Sequence, residues 1–309
     1  MPKRLFYTFI LNPAADKGRA ASRAGWLKGL VSQRKDAVFM TTAFSGHAEE
    51  IARSASADSA CLVACGGDGT LHEIVNAVVG TDVAVGIVPI GSANDFLKTF
   101  EPRRCVKQDP SFSFGSDTRL VDLGGVSVGS GVTRYFVNSL GVGLTGRIAR
   151  VVKKNRWLKG EPGYVHALLR VLVGYKPLKM HIKITQDDAI IELHESVFAF
   201  SISNGKIEGG KFLIAPDALL TDGLLDICIL KSIPKLDFFR YVIKYIRGTH
   251  INDTNVVYCQ ARAVEIFLYE PEVMHLDGEV FEGVQGSVRV AVRPLALKVL
   301  MDASGLNVE

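Results

Sequence analysis

The sequence predicts two domains: an α/β unit on a parallel sheet over residues 1–125, and a mainly antiparallel β-sandwich or curled sheet over residues 126–309, whose last strand is free to return toward the first unit. Three observations lead there. Up to about Gly125, short apolar runs alternate with amphipathic stretches, a βαβ series. The runs are continuously apolar, as parallel strands covered on both faces require. Beyond a Ser-, Gly- and Asp-rich stretch at Ser111 to Thr118, β-like runs separated by polar turns take over.

In chain order, Leu5 to Leu11 is the first strand, and Asn12-Pro13 ends it in a turn. Lys3 and Arg4 ahead of it resemble the start of a signal peptide, but the apolar core is short and no A-x-A site follows. A helix follows near Ala20 to Arg34, then a strand at Ala37 to Thr41, a helix near Gly46 to Ser56 and a strand at Ala60 to Cys65. An amphipathic helix from Leu71 leads to a strand at Val83 to Ile90. Parallel sheets carry ligand loops at the carboxyl ends of their strands, and polar or glycine-bearing loops fall there after Leu11, Cys65 and Ile90.

The second unit opens near Val121 to Gly125, with β-like runs at Arg134 to Ser139, His181 to Thr185, Val197 to Ser203, Leu225 to Leu230, Val264 to Leu268 and Ser287 to Val292. Helices are expected at about Tyr164 to Gly174 and Lys235 to Arg247. In the latter, Leu236, Phe239, Val242, Ile243 and Ile246 form an apolar stripe of the kind that usually faces a core.

Composition excludes several classes. Apolar content of 48% with 22% charge describes an ordered globular protein rather than a disordered one. A net charge of +4 is too mild to announce nucleic acid, yet suits a visitor to an anionic surface. No run approaches the ~18 apolar residues that span a bilayer, so membrane contact would be peripheral. The five cysteines (Cys61, Cys65, Cys105, Cys228, Cys259) are odd in number and mostly sit in apolar runs, which argues for reduced thiols in a cytoplasmic setting. By spacing, none of the seven histidines forms a zinc-like pair.

The most informative segment is Gly66-Gly67-Asp68-Gly69-Thr70, between a strand and the start of a helix. Without side chains on those glycines, backbone N–H groups at a helix start can converge on a phosphate, aided by the helix dipole. Asp68 adds a carboxylate for Mg²⁺ or a bound water. The same glycines also suit a tight turn needing positive φ. A second loop, Pro89 to Phe96, supplies Gly91, Ser92, Asn94 and Asp95 together, a mixture suited to a polyphosphate and its metal. Ser92 and Asn94 also suit helix caps.

Asn12-Pro13, Gly66 to Leu71 with Glu73 and Asn76, and Gly91 to Phe96 together resemble the diacylglycerol kinase catalytic family, which includes bacterial soluble lipid kinases and relatives of sphingosine kinases. The resemblance continues through Ala215 to Ala218, Thr221 to Asp226 and Leu276 to Glu279, and so covers nearly the whole chain. It implies a nucleotide-binding domain related to NAD kinases and phosphofructokinases, a β-sandwich domain, and ATP-dependent phosphorylation of a lipid hydroxyl between them.

Carried over by motif, the nucleotide contacts implied are Asn12, Pro13, a threonine after the second strand (Thr41 or Thr42), Gly66, Gly67, Asp68, Gly69, Thr70, Leu71, His72, Glu73 and Ser92. A structural Mg²⁺ is implied at Leu219, Asp222 and Leu224. The Asp277-Gly278-Glu279 signature is implied to supply the proton acceptor, with Glu279 and Asp277 both candidates and Asp68 organising metal and water. Two departures stand out. Asp16 puts a negative charge near the expected phosphates, and Ser92 stands where threonine is commoner.

The implied partner is a lipid substrate at a membrane surface, with anionic phospholipid a further one; a second copy of the chain is kept open, and nucleic acid is not expected. Arg147, Arg150, Lys153, Lys154, Arg156 and Lys159, with Trp157, form the most basic stretch and are either a membrane-facing surface or a solvated helix face. The competing functions are a soluble NAD kinase-like metabolite kinase and a non-catalytic nucleotide- or membrane-binding module. The Gly91 to Phe96 loop and the long second half favour the lipid enzyme.

Overall fold

Continuously apolar strands are stable only when both sheet faces are covered, and the first four strands meet that condition. In the computed structural model, which describes residues 6–100, 114–154, 160–186 and 189–301, the chain divides into two compact units: 1–121 with 295–309, and 122–294. The second unit therefore begins at Asp122, and residues from Leu295 onward belong with the first.

Unit 1 contains β1 (Tyr7–Leu11), β2 (Ala37–Thr41), β3 (Cys61–Gly66) and β4 (Ala84–Pro89), all parallel, in the order β4-β3-β1-β2. The C-terminal stretch of the chain's last strand adds beside β4, pairing Val299 with Val85. Helices α1 (Ala24–Ser32), α2 (His47–Ala55), α3 (Asp68–Val78) and α4 (Asp95–Phe100) make the crossovers. Phe9, Leu11, Leu27, Val63 and Val88 are among the side chains of the resulting core. Cys61 and Cys65 lie in it as thiols, and burial pushes the Cys61 thiol up to about 12 and Cys65 higher still. Cys105 lies outside the described residues.

Two helix boundaries differ from expectation. The helix expected near Ala20 is a 3₁₀ segment over Ala15–Arg23 before α1, interrupted by left-handed Asp16, Lys17 and Gly18. The helix expected from Leu71 starts at Asp68, so Asp68, Gly69 and Thr70 form its first turn.

Unit 2 is mainly antiparallel. It runs through β5 (Thr118–Val128, beginning in unit 1), β6 (Arg134–Phe136), β7 (Ser139–Val142), β8 (Leu178–Thr185), β9 (Ile190–Ser203), the short β10 (Ile207–Glu208) and β11 (Phe212–Leu213), β12 (Leu225–Lys231), β13 (Val256–Ala261), β14 (Ala263–Leu276) and β15 (Glu279–Leu300, ending in unit 1). The long β9 and β14 each pair with β8 along one half and with β7 along the other, so the sheet curls around Leu140, Ile182, Ile202, Ile266 and Leu276. Helices α5 (Leu144–Lys154), α6 (Gly160–Gly174) and α7 (Phe238–Arg247) bury a second cluster that includes Ile148, Leu168, Leu172, Phe198 and Tyr245.

The stripe expected to be core on the last helix is turned outward. Leu236, Phe239, Ile243 and Ile246 are exposed, while Phe238, Tyr241 and Tyr245 are buried and Val242 is half-buried. The aromatic face wins because it fills a larger volume and its polar tips find partners: Tyr241 donates to Asp253 Oδ1 at 2.8 Å.

Candidate active site

Register sets the carboxyl edge of the parallel sheet. Leu11 pairs with Thr41 and with Cys65, and Cys65 pairs with Val88, so Asn12, Thr42, Gly66 and Pro89 emerge together at one edge. Main-chain bonds tie the row: Asn12 N–H to Cys65 O at 3.0 Å, Thr42 N–H to Leu11 O at 2.9 Å, and Ile90 N–H to Gly66 O at 2.9 Å. The Asn12 side chain spans two loops, donating from Nδ2 to Thr70 Oγ1 at 3.2 Å and accepting the Ala14 N–H at 3.0 Å. Pro13 follows in this turn, and of the two candidate threonines Thr41 is exposed and Thr42 buried.

The glycines are required for close approach, not for a left-handed turn. Gly66, Gly67, Gly69 and Gly91 all lie outside the positive-φ region. A Cβ on Gly91 would sit 2.2 Å from Gly67 Cα and 2.7 Å from Asn94 Oδ1, and one on Gly66 would sit 2.3 Å from Thr70 Oγ1. The two glycine loops therefore touch backbone to backbone. Asp68 reaches across the same junction to accept the Phe96 N–H at 3.4 Å, and left-handed Asn94 donates to Gly91 O at 2.9 Å. The result is a floor of main chain at the start of α3, where first-turn N–H groups and the helix dipole attract an anion.

Other expected contacts are placed differently. Leu71 and His72 are buried on α3, with His72 beside Asn76, so their side chains face the protein interior. Glu73 accepts Gly46 N–H at 2.8 Å and Ala48 N–H at 3.0 Å, one carboxylate oxygen each. It caps the start of α2, so both carboxylate oxygens are engaged with main chain. Ser92 donates to Asp16 Oδ1 at 2.7 Å, which draws the departing carboxylate onto the loop expected to hold phosphate.

In unit 2, Asp277 is left-handed and buried, and its carboxylate accepts three main-chain N–H groups: Val137 at 3.0 Å, Asn138 at 2.9 Å and Ser139 at 3.1 Å. Those bonds fix the β6–β7 junction. Both Asp277 oxygens are thus engaged with main chain, which bears on its candidacy as proton acceptor. Glu279, two residues on, is partly exposed and meets Lys153 of α5 at 2.5 Å. The sequence did not show His275, whose Nε2 lies 3.2 Å from Glu208 Oε1 and whose Nδ1 faces the Gly278 N–H at 3.4 Å.

Around the Leu219 to Asp226 turn, acids accumulate. Asp222 accepts Leu224 N–H at 3.0 Å, and the fully buried Asp122 accepts Gly223 N–H at 2.7 Å. Burial raises the Asp222 carboxyl, the Leu224 N–H opposes that, and the Asp122 charge adds to it. Asp226, which accepts from Tyr258 at 2.6 Å, is pushed up to about 6, chiefly by burial. Carboxylates and main-chain carbonyls are hard oxygen donors, and Asp122 and Asp222 accept neighbouring N–H groups of one turn, so this turn fits Mg²⁺ or Ca²⁺. Leu219 and Leu224 would offer carbonyls. Elsewhere, the sheet brings His181, Glu192 and His194 together, a pairing that spacing along the chain conceals. The two rings stack at 4.0 Å with planes 7° apart, so their in-plane lone pairs do not converge on one ion.

The described part of the basic stretch is largely paired. Arg147 meets Glu272 at 2.6 Å, Lys153 meets Glu279, and Lys154 meets Glu282 at 3.2 Å. Arg156, Trp157 and Lys159 lie outside the described residues.

This geometry can be set beside known proteins. Residues 7–126 match the model of the diacylglycerol kinase catalytic domain, and residues 138–301 match that of the YegS C-terminal NAD kinase beta sandwich-like domain. A diacylglycerol kinase of Bacillus subtilis is 30% identical over 222 residues, covering 71% of this chain and 70% of its own. The chain belongs to the diacylglycerol kinase catalytic family. Within that family's fold, a diacylglycerol kinase structure from Bacillus anthracis superposes with a TM-score of 0.69 at 19% identity, covering 98% of this chain and 99% of its own. An NAD kinase from Archaeoglobus fulgidus, solved with ATP, superposes with a TM-score of 0.51 at 10% identity over 97% of this chain and 95% of its own. The pairing of a kinase-type α/β unit with a β-rich unit is thus the fold of the family.

Proposed function

We propose that the chain is an ATP- and Mg²⁺-dependent lipid kinase that transfers the γ-phosphoryl group to the hydroxyl of diacylglycerol or a closely related lipid. The observation that carries this reading is the backbone-to-backbone junction of Gly67 and Gly91 at the start of α3, a floor against which a triphosphate can lie without side-chain interference. Family membership supplies the reaction class, and a relative named diacylglycerol kinase supports the acceptor.

Phosphoryl transfer needs in-line positioning and positive charge against the spreading negative charge. Asn12 and Thr70 hold the first and second loops in register beneath the phosphates. Asp68 would hold the cation and its water, while Asp16 must release Ser92 for that hydroxyl to reach a phosphate oxygen. Glu279 takes the hydroxyl proton, since Asp277 is occupied with main chain. Bound Mg²⁺ would neutralise charge, and at Asp222 would hold the acid turn together.

An apolar cavity in unit 2 supports a greasy acceptor. Leu144, Ile148, Leu168, Phe212, Phe238 and Val242 line it, with Thr145, Ser201 and Glu208 at its polar wall. Its volume is about 40 Å³, so an acyl chain enters only if the helices over it part. Reduced buried thiols support a cytoplasmic setting. No helix among the described residues is long and apolar enough to cross a membrane.

The test is incubation with γ-labelled ATP and either diacylglycerol vesicles or NAD. Label in the organic phase is expected. Label on NAD alone would favour the soluble metabolite kinase, to which the NAD kinase fold likeness points, and label on neither would leave a binding module.

A further inference from the structure

We infer that the outward apolar stripes of α6 and α7 form the face by which this protein docks on an anionic phospholipid bilayer. The inference deepens the lipid-kinase reading and rests on it for its purpose, though its binding test does not require catalysis.

Each helix is apolar on two faces. The inward faces, with Leu168 and Leu172 on α6 and Phe238, Tyr241 and Tyr245 on α7, belong to one core cluster. The outward faces carry Val165, Leu169 and Val173 at four-residue spacing on α6, and Leu236, Phe239, Ile243 and Ile246 at or just before α7. Several are far from grazing exposure: Val173 is 84% exposed, Leu236 80% and Ile243 53%. The two elements adjoin, since they line the same cavity and Lys235 Nζ donates to Val173 O at 3.1 Å. Isolated surface leucines need no explanation, but seven large apolar side chains on two neighbouring helices do.

Charge identifies the occupant. Between Lys235 and Arg247 the cations are Lys235, Arg240, Lys244 and Arg247, against the single acid Asp237. From Gly163 to Lys176 there are Arg170 and Lys176 and no acid. Lys244 is held by Asp253, while Lys235, Arg170, Arg240 and Arg247 are exposed around the stripes. Apolar side chains fringed by cations are the pattern of a helix lying in a membrane interface, with the apolar face among acyl chains and the cations at anionic headgroups. A second copy of this chain fits less well, because apposing two such faces would set cation against cation. In the basic stretch at Arg147 to Lys154, Arg147, Lys153 and Lys154 are by contrast engaged with Glu272, Glu279 and Glu282.

The experiment is sedimentation of the full chain, without nucleotide, on phosphatidylcholine vesicles carrying about one-third phosphatidylglycerol. Wild type should bind these, should bind pure phosphatidylcholine vesicles much less, and should weaken as salt rises. The double variant Phe239→Ser, Ile243→Ser alters exposed positions outside the candidate site. It should bind at least about tenfold more weakly, since each side chain loses its apolar transfer. Its thermal midpoint and its turnover on a water-soluble short-chain diacylglycerol should match wild type. Val132→Ser, at an 88% exposed valine between β5 and β6, should bind as wild type does. As an independent readout, Phe239→Trp should show an emission blue shift on the anionic vesicles. Undiminished vesicle binding by the double variant, or no binding by wild type, overturns the inference. So does a wild-type dimer that the double substitution converts to monomer, which would make the face a contact between copies. Vesicle binding lost in the double variant while wild type phosphorylates no diacylglycerol would uphold the face and count against the kinase reading alone.

Discussion

Replacing Gly91 by alanine tests the junction of the two glycine loops with one methyl group. The added Cβ would lie 2.2 Å from Gly67 Cα, whereas ordinary contact begins near 3.4 Å, so the loops must separate by more than about 1 Å. The obstacle is main chain on Gly67, which has no rotamer to yield. Overpacking of this kind costs about 1–3 kcal/mol, and a displacement near 1 Å at a reacting centre costs about a hundredfold in turnover. Gly91→Ala should therefore fold with a lowered midpoint, bind ATP more weakly, and lose about two orders of magnitude in kcat/KM. Calorimetric ATP titration and a steady-state transfer assay read both effects. Gly29→Ala is the control: nothing lies within 4 Å of its Cβ, and alanine in the middle of α1 should raise stability by about 0.5–1 kcal/mol without touching activity. Wild-type ATP affinity and turnover in Gly91→Ala would refute the idea that these glycines exist to bring the loops together over the phosphates.

Asp16→Asn should tighten ATP binding about two- to fivefold, because it removes a carboxylate 2.7 Å from Ser92; weaker binding in the same titration would show that Asp16 holds the cation. Glu73→Ala strips the cap from α2 and should lower stability by about 1–2 kcal/mol in denaturant melts while sparing kcat, the reverse of what a nucleotide contact would give. Asp226, raised from the usual 3.8 to about 6, binds its proton more tightly folded than unfolded, so its cost to stability is full above about pH 6 and shrinks as pH falls toward 4. Asp226→Asn should be on the order of 2–3 kcal/mol more stable than wild type at pH 7, with the gap closing by pH 4 in melts without divalent cation; a gap independent of pH would contradict that reading.

The parallel sheet was legible because its strands are unbroken apolar runs, a local property. That the loops share one sheet edge was legible because register follows from those strands, and glycine, asparagine and aspartate cluster at their ends. The reason for the glycines was not, since a contact between Gly67 and Gly91 is a matter of tertiary approach and leaves no trace in spacing. Glu73 looked like part of the phosphate motif, but its partners lie on α2, reached only when α2 and α3 pack. The main-chain partners of Asp277 likewise lie about 140 positions away, so spacing could not separate it from Glu279. The acid partners of the basic stretch were hidden for the same reason, lying more than a hundred positions downstream. On α7 both faces are apolar, so periodicity alone could not choose the buried one. Aromatic volume and the bond from Tyr241 to Asp253 decided it.

The most direct test is single-turnover transfer by Glu279→Gln beside its ATP affinity. The glutamine keeps size and polarity while removing the base, so ATP should bind within about threefold of wild type while transfer to diacylglycerol falls by a factor of about 10²–10⁴. Transfer at the wild-type rate, with binding intact, would contradict the assignment of Glu279 as the group that primes the lipid hydroxyl.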